Sequence, residues 1–281
     1  FLYNLMTESK LEDKDIQNKI NKAYNNNFKI SLSMIPIFDV NNQKITNGFL
    51  KIIKYLSNKD KKIRNKLNRS KVSVKIRQLG KNSRIQWINF LKIVDYAYKH
   101  KIFIWIACVF KDDLDLEYNY YKKIRNNYNN VGITLSTSHY SVSKKVNQIL
   151  KNKGHIRLVK GIYKGNVKNW KTVTELYKSN ALKLVNSGYY HCLATHDFEI
   201  LKIVKNYNTK LFNANIETSF FFDSMSYIKK NLNIIENNRK SFYIYFGSKL
   251  GYIKQHLYTY FFQSNFLRNV PLLYRKILYH I

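Results

Sequence analysis

His155-Ile-Arg-Leu-Val-Lys-Gly161 is a short apolar run closed by a lysine and a glycine, and Ala194-Thr-His-Asp197 ends a second such run with three polar groups. Runs of this length, rich in branched residues and stopped by polar or turn residues, are the mark of buried strands. Similar runs recur along the chain, and the segments predicted as strands are 29–35, 72–76, 102–109, 131–135, 155–160, 191–195, 242–246 and 257–262. Between them the apolar spacing changes to a helical period. Residues 85–98 carry Ile85, Ile88, Leu91 and Tyr98, with Trp87, Phe90, Val94 and Ala97 beside them, as one broad apolar face. Residues 172–185 repeat the pattern with Leu176, Leu182 and Val185, and Ser187-Gly188 closes that helix. Further helices are predicted over 48–56, 114–128, 143–151, 198–207 and 271–279. The stretch 208–240 is long for one connection and is expected to hold a helix over 222–235.

Strand and helix alternating around eight strands is the pattern of a single-domain α/β chain folded as a (β/α)8 TIM-like barrel. An open doubly wound sheet alternates in the same way, so alternation alone does not separate the two. No Gly-x-Gly-x-x-Gly turn follows the first strand, which removes support for a Rossmann dinucleotide site. Residues 1–28 are read as an N-terminal helical segment ahead of a barrel spanning 29–281.

With 45% apolar residues over 281 positions, a sizeable core is expected. No apolar run approaches the roughly 20 residues that a membrane-crossing helix requires. Residues 1–15 lack the basic start and cleavage-site pattern of a secretory signal, and the compartment is left open. Cys108 and Cys192 both fall in predicted strands, where they suit small core residues better than a disulfide or a metal site. The formal charge of +32 would attract polyanions, but the lysines are spread over every segment and form no stripe. Charge is the one feature of a nucleic-acid binder that is present, so no specific nucleic-acid partner is expected.

In a barrel the chemistry lies where the strands end. Arg157 and Lys160 close one strand beside Gly161 and Tyr163, and a lysine there can meet an anion. Thr195, His196 and Asp197 close the next, which is costly unless they meet water, a ligand or one another. Arg275 and Lys276 put two cations on one turn near the end of the sequence, suited to a carboxylate. For His196 a satisfied core histidine is as good a reading as a ligand contact, and for Arg275 and Lys276 a solvated surface is the simpler one.

These residues resemble the proline dehydrogenases. Arg157-Leu-Val-Lys-Gly-Ile-Tyr163 is similar to the signature on that family's fifth strand, and Ala194-Thr-His to the motif on its sixth. Ser73-Val-Lys-Ile76 with Leu79-Gly80, Val131-Gly-Ile-Thr-Leu135, Phe242 to Gly247 and Tyr258-Thr-Tyr-Phe-Phe262 follow in the family's order, with Arg275-Lys276 where paired arginines stand. The resemblance implies a flavoenzyme containing FAD that oxidises L-proline to Δ1-pyrroline-5-carboxylate in proline catabolism. It implies a quinone acceptor and, with it, a peripheral contact with a respiratory membrane. By the same resemblance Arg275 and Lys276 hold the substrate carboxylate, and Lys160 lies near substrate and flavin. Val159, Gly161 and Tyr163 line the flavin, and Thr195 with His196 contact its phosphate or adenosine side.

Several positions depart from that pattern. Ala107 and Val109 replace an acidic pair, which predicts a Lys160 without its acidic partner and with a lowered pKa. Ser136 and Ser141 stand where a Gln and an Arg hold the flavin, Ser241 and Tyr243 where a Glu and a Gln stand, and Leu272 where a Tyr stacks on substrate. These changes imply weakened cofactor binding and impaired activity. Two alternatives remain beside the enzyme: a degenerate barrel that binds or scaffolds, and a basic protein that binds polyanions.

Overall fold

The computed structural model describes residue 11 and residues 13–35, 42–63, 65–107, 113–161, 165–235 and 239–247. Eight parallel strands close into a barrel in the order β1 to β8. They are β1 (Lys29–Ile35), β2 (Lys71–Val74), β3 (Phe103–Ile106), β4 (Val131–Ser136), β5 (Ile156–Val159), β6 (His191–Ala194), β7 (Ile216–Phe221) and β8 (Arg239–Gly247). Closure comes from β8 lying beside β1, with Ser31 opposite Tyr243 and Ser33 opposite Tyr245.

The helices are α1 (Lys14–Asn25), α2 (Asn42–Lys59), α3 (Ser83–Lys99), α4 (Asp113–Arg125), α5 (Val142–Lys151), α6 (Trp170–Asn186), α7 (Phe198–Tyr207), α8 (Thr209–Asn215), α9 (Met225–Lys229) and α10 (Leu232–Ile235). Side-chain caps fix where several of them start: Asn82 accepts from the Ile85 N–H, Asn169 from Lys171, Asp197 from Ile200 and Asn208 from Leu211. α6 ends at Ser187, with Gly188 following in the left-handed region at φ 72°.

The barrel therefore stands, but its last two strands differ from those predicted. The segment 242–246 belongs to the eighth strand, not the seventh, and the seventh is Ile216–Phe221, inside the stretch assigned to a connection and a helix. Ile216-Glu-Thr-Ser-Phe-Phe221 alternates: Ile216 and Phe220 join the outer core, while Glu217 points into the barrel, where it meets Lys71 from β2. A polar inward face broke the apolar run by which strands were recognised. The strand predicted over 257–262 and the helix over 271–279 lie outside the described residues. The helix predicted over 222–235 is two short ones, α9 and α10.

Helix α3 turns a different face to the core than its spacing implied. Phe90, Ile93, Val94 and Ala97 are buried, but Ile85, Ile88 and Tyr98 are exposed. The turn after β2 is the cause. Gln86 and Asn89 donate to the carbonyls of Gly80 and Leu79, so two amides take the inward positions that isoleucines were expected to fill.

Two kinds of core result. Outward strand residues such as Val72, Val74, Ile104, Ile133, Leu158, Leu193 and Ile244 pack under the helices. The interior is polar and layered. At its foot the fully buried Lys71 ammonium lies 2.6 Å from Glu217, which also accepts from Ser241 Oγ at 2.7 Å and Tyr190 Oη at 2.9 Å. Lys71 donates further to the Arg69 and Leu67 carbonyls. One layer up, the Arg157 guanidinium donates to Thr134 Oγ1 at 3.0 Å and Ser73 Oγ at 2.9 Å. It lies 4.9 Å from the Tyr243 ring centroid and 5.8 Å from that of Trp105. Gly132 makes room for Trp105, since a side chain there would collide with the indole.

Breaking the pair at the foot leaves a buried ammonium without its counter-charge. Glu217→Ala should cost about 3–5 kcal/mol in urea unfolding, and Lys71→Met with Glu217→Leu together distinctly less. A single variant as stable as the parent protein would show that the pair contributes nothing.

Candidate functional site

The carboxyl ends of β2, β5, β6, β7 and β8 line the barrel mouth. Lys160 follows β5 directly and its Nζ pairs with the Asp197 carboxylate, while packing 4.9 Å from the Trp170 ring centroid. Asp197 does three things at once. It receives Lys160, caps α7 through Ile200, and is tied by its own N–H to Thr195 Oγ1 at 3.1 Å. The expectation of a Lys160 lacking an acidic partner is thus corrected: the third strand offers none at Ala107, but the turn after the sixth does.

Thr195 is buried, and His196 Nε2 accepts the Phe221 N–H at 3.2 Å. Its ring stacks on Phe221 at 5.7 Å and 17°. His196 therefore reaches from β6 across to the end of β7, whereas Lys160 reaches from β5 toward Asp197. The two lie after adjacent strands at the same end of the barrel. The aromatic wall continues from Phe221 to Tyr245, at 6.0 Å, and from there to Tyr243, at 4.7 Å.

Gly161 has φ 56°, where a side chain is strained, and a Cβ would lie 2.6 Å from Trp170. The room left by this glycine is filled by the indole of α6. Its packing role is visible without any ligand. Val159 sits beside Ala107 and Ala194 in a small apolar cluster at the top of the barrel. Tyr163, Arg275 and Lys276 lie outside the described residues, as do Val109 and Cys108. Cys192 is a buried free thiol whose pKa is pushed up by burial first and by Glu217 next.

Lys75 lay within the Ser73-Val-Lys-Ile76 likeness but was given no role in the sequence, and it is a second lysine at the mouth among the described residues. It follows β2, lies 5.9 Å from the Tyr245 ring centroid, and is buried. Burial lowers its pKa from 10.5 to about 8, against the opposing pull of the Glu117 carboxylate. The clue was a lysine ending the all-apolar-flanked Lys71-Val-Ser-Val-Lys75, the same signal that singled out Lys160. Deeper in, Ser31 Oγ and Tyr243 Oη are buried with no hydrogen-bond partner among the described residues.

No family model matches the chain. Over 142 residues, 48% of the chain, it is 30% identical to proline dehydrogenase 2 of Bacillus subtilis strain 168, and it matches the same protein of Bacillus subtilis subspecies natto equally well. Over that stretch the chain is similar to a proline dehydrogenase. The matched stretch is 47% of the Bacillus protein, so the chain spans about half the length of the curated relatives it matches. Among solved structures, proline utilization A of Bdellovibrio bacteriovorus, inactivated by N-propargylglycine, superposes with a TM-score of 0.79 at 15% identity. That match covers 95% of this chain and 33% of the other. Proline utilization A of Corynebacterium freiburgense gives 0.68 at 10% identity, over 87% of this chain and 29% of the other. At such identities the likeness is one of fold. Among the described residues no helix is long and apolar enough to cross a membrane, and no group of His, Cys, Asp and Glu could hold a metal ion.

The lowered pKa of Lys75 has a consequence for stability. Below pH about 8 the lysine is charged in both the folded and unfolded chains, and the full cost of burying it is present. Between about 8 and 10.5 only the unfolded chain holds the proton, so stability rises with pH across that window. Lys75→Met should therefore be more stable than the parent at pH 7, by on the order of 3 kcal/mol, with the gain shrinking toward pH 10. Chemical denaturation at several pH values reads this directly, and a gain independent of pH would refute it.

Proposed function

We propose that this chain oxidises L-proline to Δ1-pyrroline-5-carboxylate with FAD as cofactor and a quinone as final acceptor. The support is sequence likeness to a protein named proline dehydrogenase across a stretch of this barrel, together with the cations at its mouth. The observation that carries most weight is the Arg157–Lys160 segment. It places one cation inside the barrel, held by Ser73 and Thr134, and another at the mouth, held by Asp197.

The donor set fits a flavin. Arg157 gives a fixed positive charge under the mouth, and the partnerless Tyr243 and Ser31 hydroxyls lie in the same interior. An electron-rich heterocycle edge is served by such donors. In this reading Val159, Gly161, Tyr163, Thr195 and His196 would hold the cofactor. The chemistry it supplies when bound is acceptance of two electrons from a carbon next to an amine nitrogen.

The chain's own residues would bind, orient and deprotonate the substrate. Proline must lose a proton from nitrogen and a carbon-bound hydrogen with its electron pair, which leaves a carbon–nitrogen double bond. Arg275 and Lys276 are proposed to hold the carboxylate and so aim the ring. Lys75, with a pKa near 8, is the amine best suited to take the nitrogen's proton at neutral to mildly alkaline pH. The ion pair with Asp197 fits Lys160 for positioning and for a steady positive field. A quinone acceptor would bring the protein to a membrane surface, where a net positive charge favours acidic lipid.

The test is spectroscopic. The purified protein, reconstituted with FAD, should show a flavin spectrum that L-proline bleaches under anaerobic conditions. Lys75→Met should slow bleaching by on the order of 10²-fold and flatten its rise between pH 7 and 9. A protein that binds flavin fully and is untouched by proline would turn the reading toward the degenerate barrel.

A further inference from the structure

Outside the barrel wall, between α4 and α5, lies a cleft of about 490 Å³ that the reading above does not use. Leu114, Asp115, Tyr118, Asn119 and Lys122 line it from α4; Lys144, Lys145 and Gln148 line it from α5; His139, Ser141 and Asn166 close the end near the barrel mouth. Its charges are three ammonium groups against a single carboxylate. That carboxylate is already taken, because Asp115 lies 2.7 Å from Lys145 Nζ, and the contact holds its pKa below the usual value.

Two of the three ammonium groups lie over one ring. Lys145 lies 4.5 Å and Lys122 5.0 Å from the Tyr118 ring centroid, which gathers two ammonium groups on the cleft wall. The Lys144 side chain makes no hydrogen bond or ion pair among the described residues. The amino-terminal end of α5, a helix of 10 residues, meets the cleft at Ser141. The Ser141 hydroxyl does not cap the helix amides, and no acidic residue stands in the first turn. Asn and Gln side chains supply neutral donors around the rim.

From this arrangement we infer that the cleft binds a ligand bearing two or more phosphate groups. Several cations gathered on a concave wall, with a helix amino terminus at one end, match the charge and the oxygen acceptors of a diphosphate. The one carboxylate among them is neutralised by Lys145. A carboxylate or sulfate ligand would engage fewer of these donors. A nucleic-acid backbone would demand a cationic track continuing beyond the cleft.

Inorganic pyrophosphate is the probe, titrated calorimetrically into the full chain. One saturable site is expected. Lys122→Gln with Lys144→Gln should weaken it on the order of tenfold or more, since two charge-assisted contacts are lost. Asp115→Asn, which frees Lys145, should tighten it several-fold. The control is Lys51→Gln with Lys54→Gln, which removes the same charge from exposed positions on α2. Equal weakening by both lysine pairs, weaker binding by Asp115→Asn, or a titration that never saturates would overturn the site and leave only bulk charge. Flavin content of the cleft variants separates this site from the barrel mouth. It should be unchanged, and its loss alongside pyrophosphate binding would assign the cleft to the cofactor's own phosphates. Vesicles containing phosphatidic acid distinguish the source of the phosphate. Pyrophosphate-sensitive vesicle binding points to a lipid headgroup, and its absence to a soluble diphosphate.

Discussion

The Glu217 carboxylate is the constraint on which this barrel depends. Inward-facing side chains of a closed eight-stranded sheet fill its interior, and here most of them are polar. Glu217 neutralises Lys71 from the far side of the barrel and takes hydrogen bonds from Ser241 and Tyr190. Without it, strands β2, β7 and β8 would meet around an uncompensated ammonium. The next layer uses different chemistry: Arg157 donates to the hydroxyls of Thr134 and Ser73 and has aromatic rings beside it. The guanidinium is thereby held in place directly beneath the mouth.

Much of this was legible in the residues, and what was not has a physical reason. β5 and β6 were readable because apolar runs end abruptly at Lys160 and at Thr195-His196-Asp197. β7 was hidden because Glu217 and Ser219, the residues that make the interior work, interrupt its apolar pattern. The inward face of α3 was misread for a related reason, since Gln86 and Asn89 are buried to satisfy carbonyls that no sequence pattern displays. In both cases a buried polar residue with a distant partner looked like surface. Lys75 escaped in another way: it ends its strand as Lys160 does, but only its burial sets it apart from the many other lysines.

Asp197 shows how a site can keep its charge balance while its parts change. Ala107 contributes no acid from the third strand, yet Lys160 is paired, because Asp197 sits at the start of α7 where a carboxylate also serves as a helix cap. Capping fixes the carboxylate, and Thr195 fixes the backbone that carries it. Lys160 is thus a firmly placed cation, held by a residue two positions after the motif's threonine.

The division of labour among the cations follows from burial and pairing. Lys160 and Lys71 each have a carboxylate within ion-pair distance, and Arg157 cannot lose its proton under ordinary conditions. Lys75 is different. Its burial against the aromatic wall outweighs the opposing pull of the Glu117 carboxylate and brings its pKa to about 8, within reach of physiological proton exchange. Charge alone at the mouth could hold an anion but could not move a proton. Adding one amine poised near neutrality gives the same cavity both capacities, which is what oxidising an ammonium-bearing, carboxylate-bearing substrate demands.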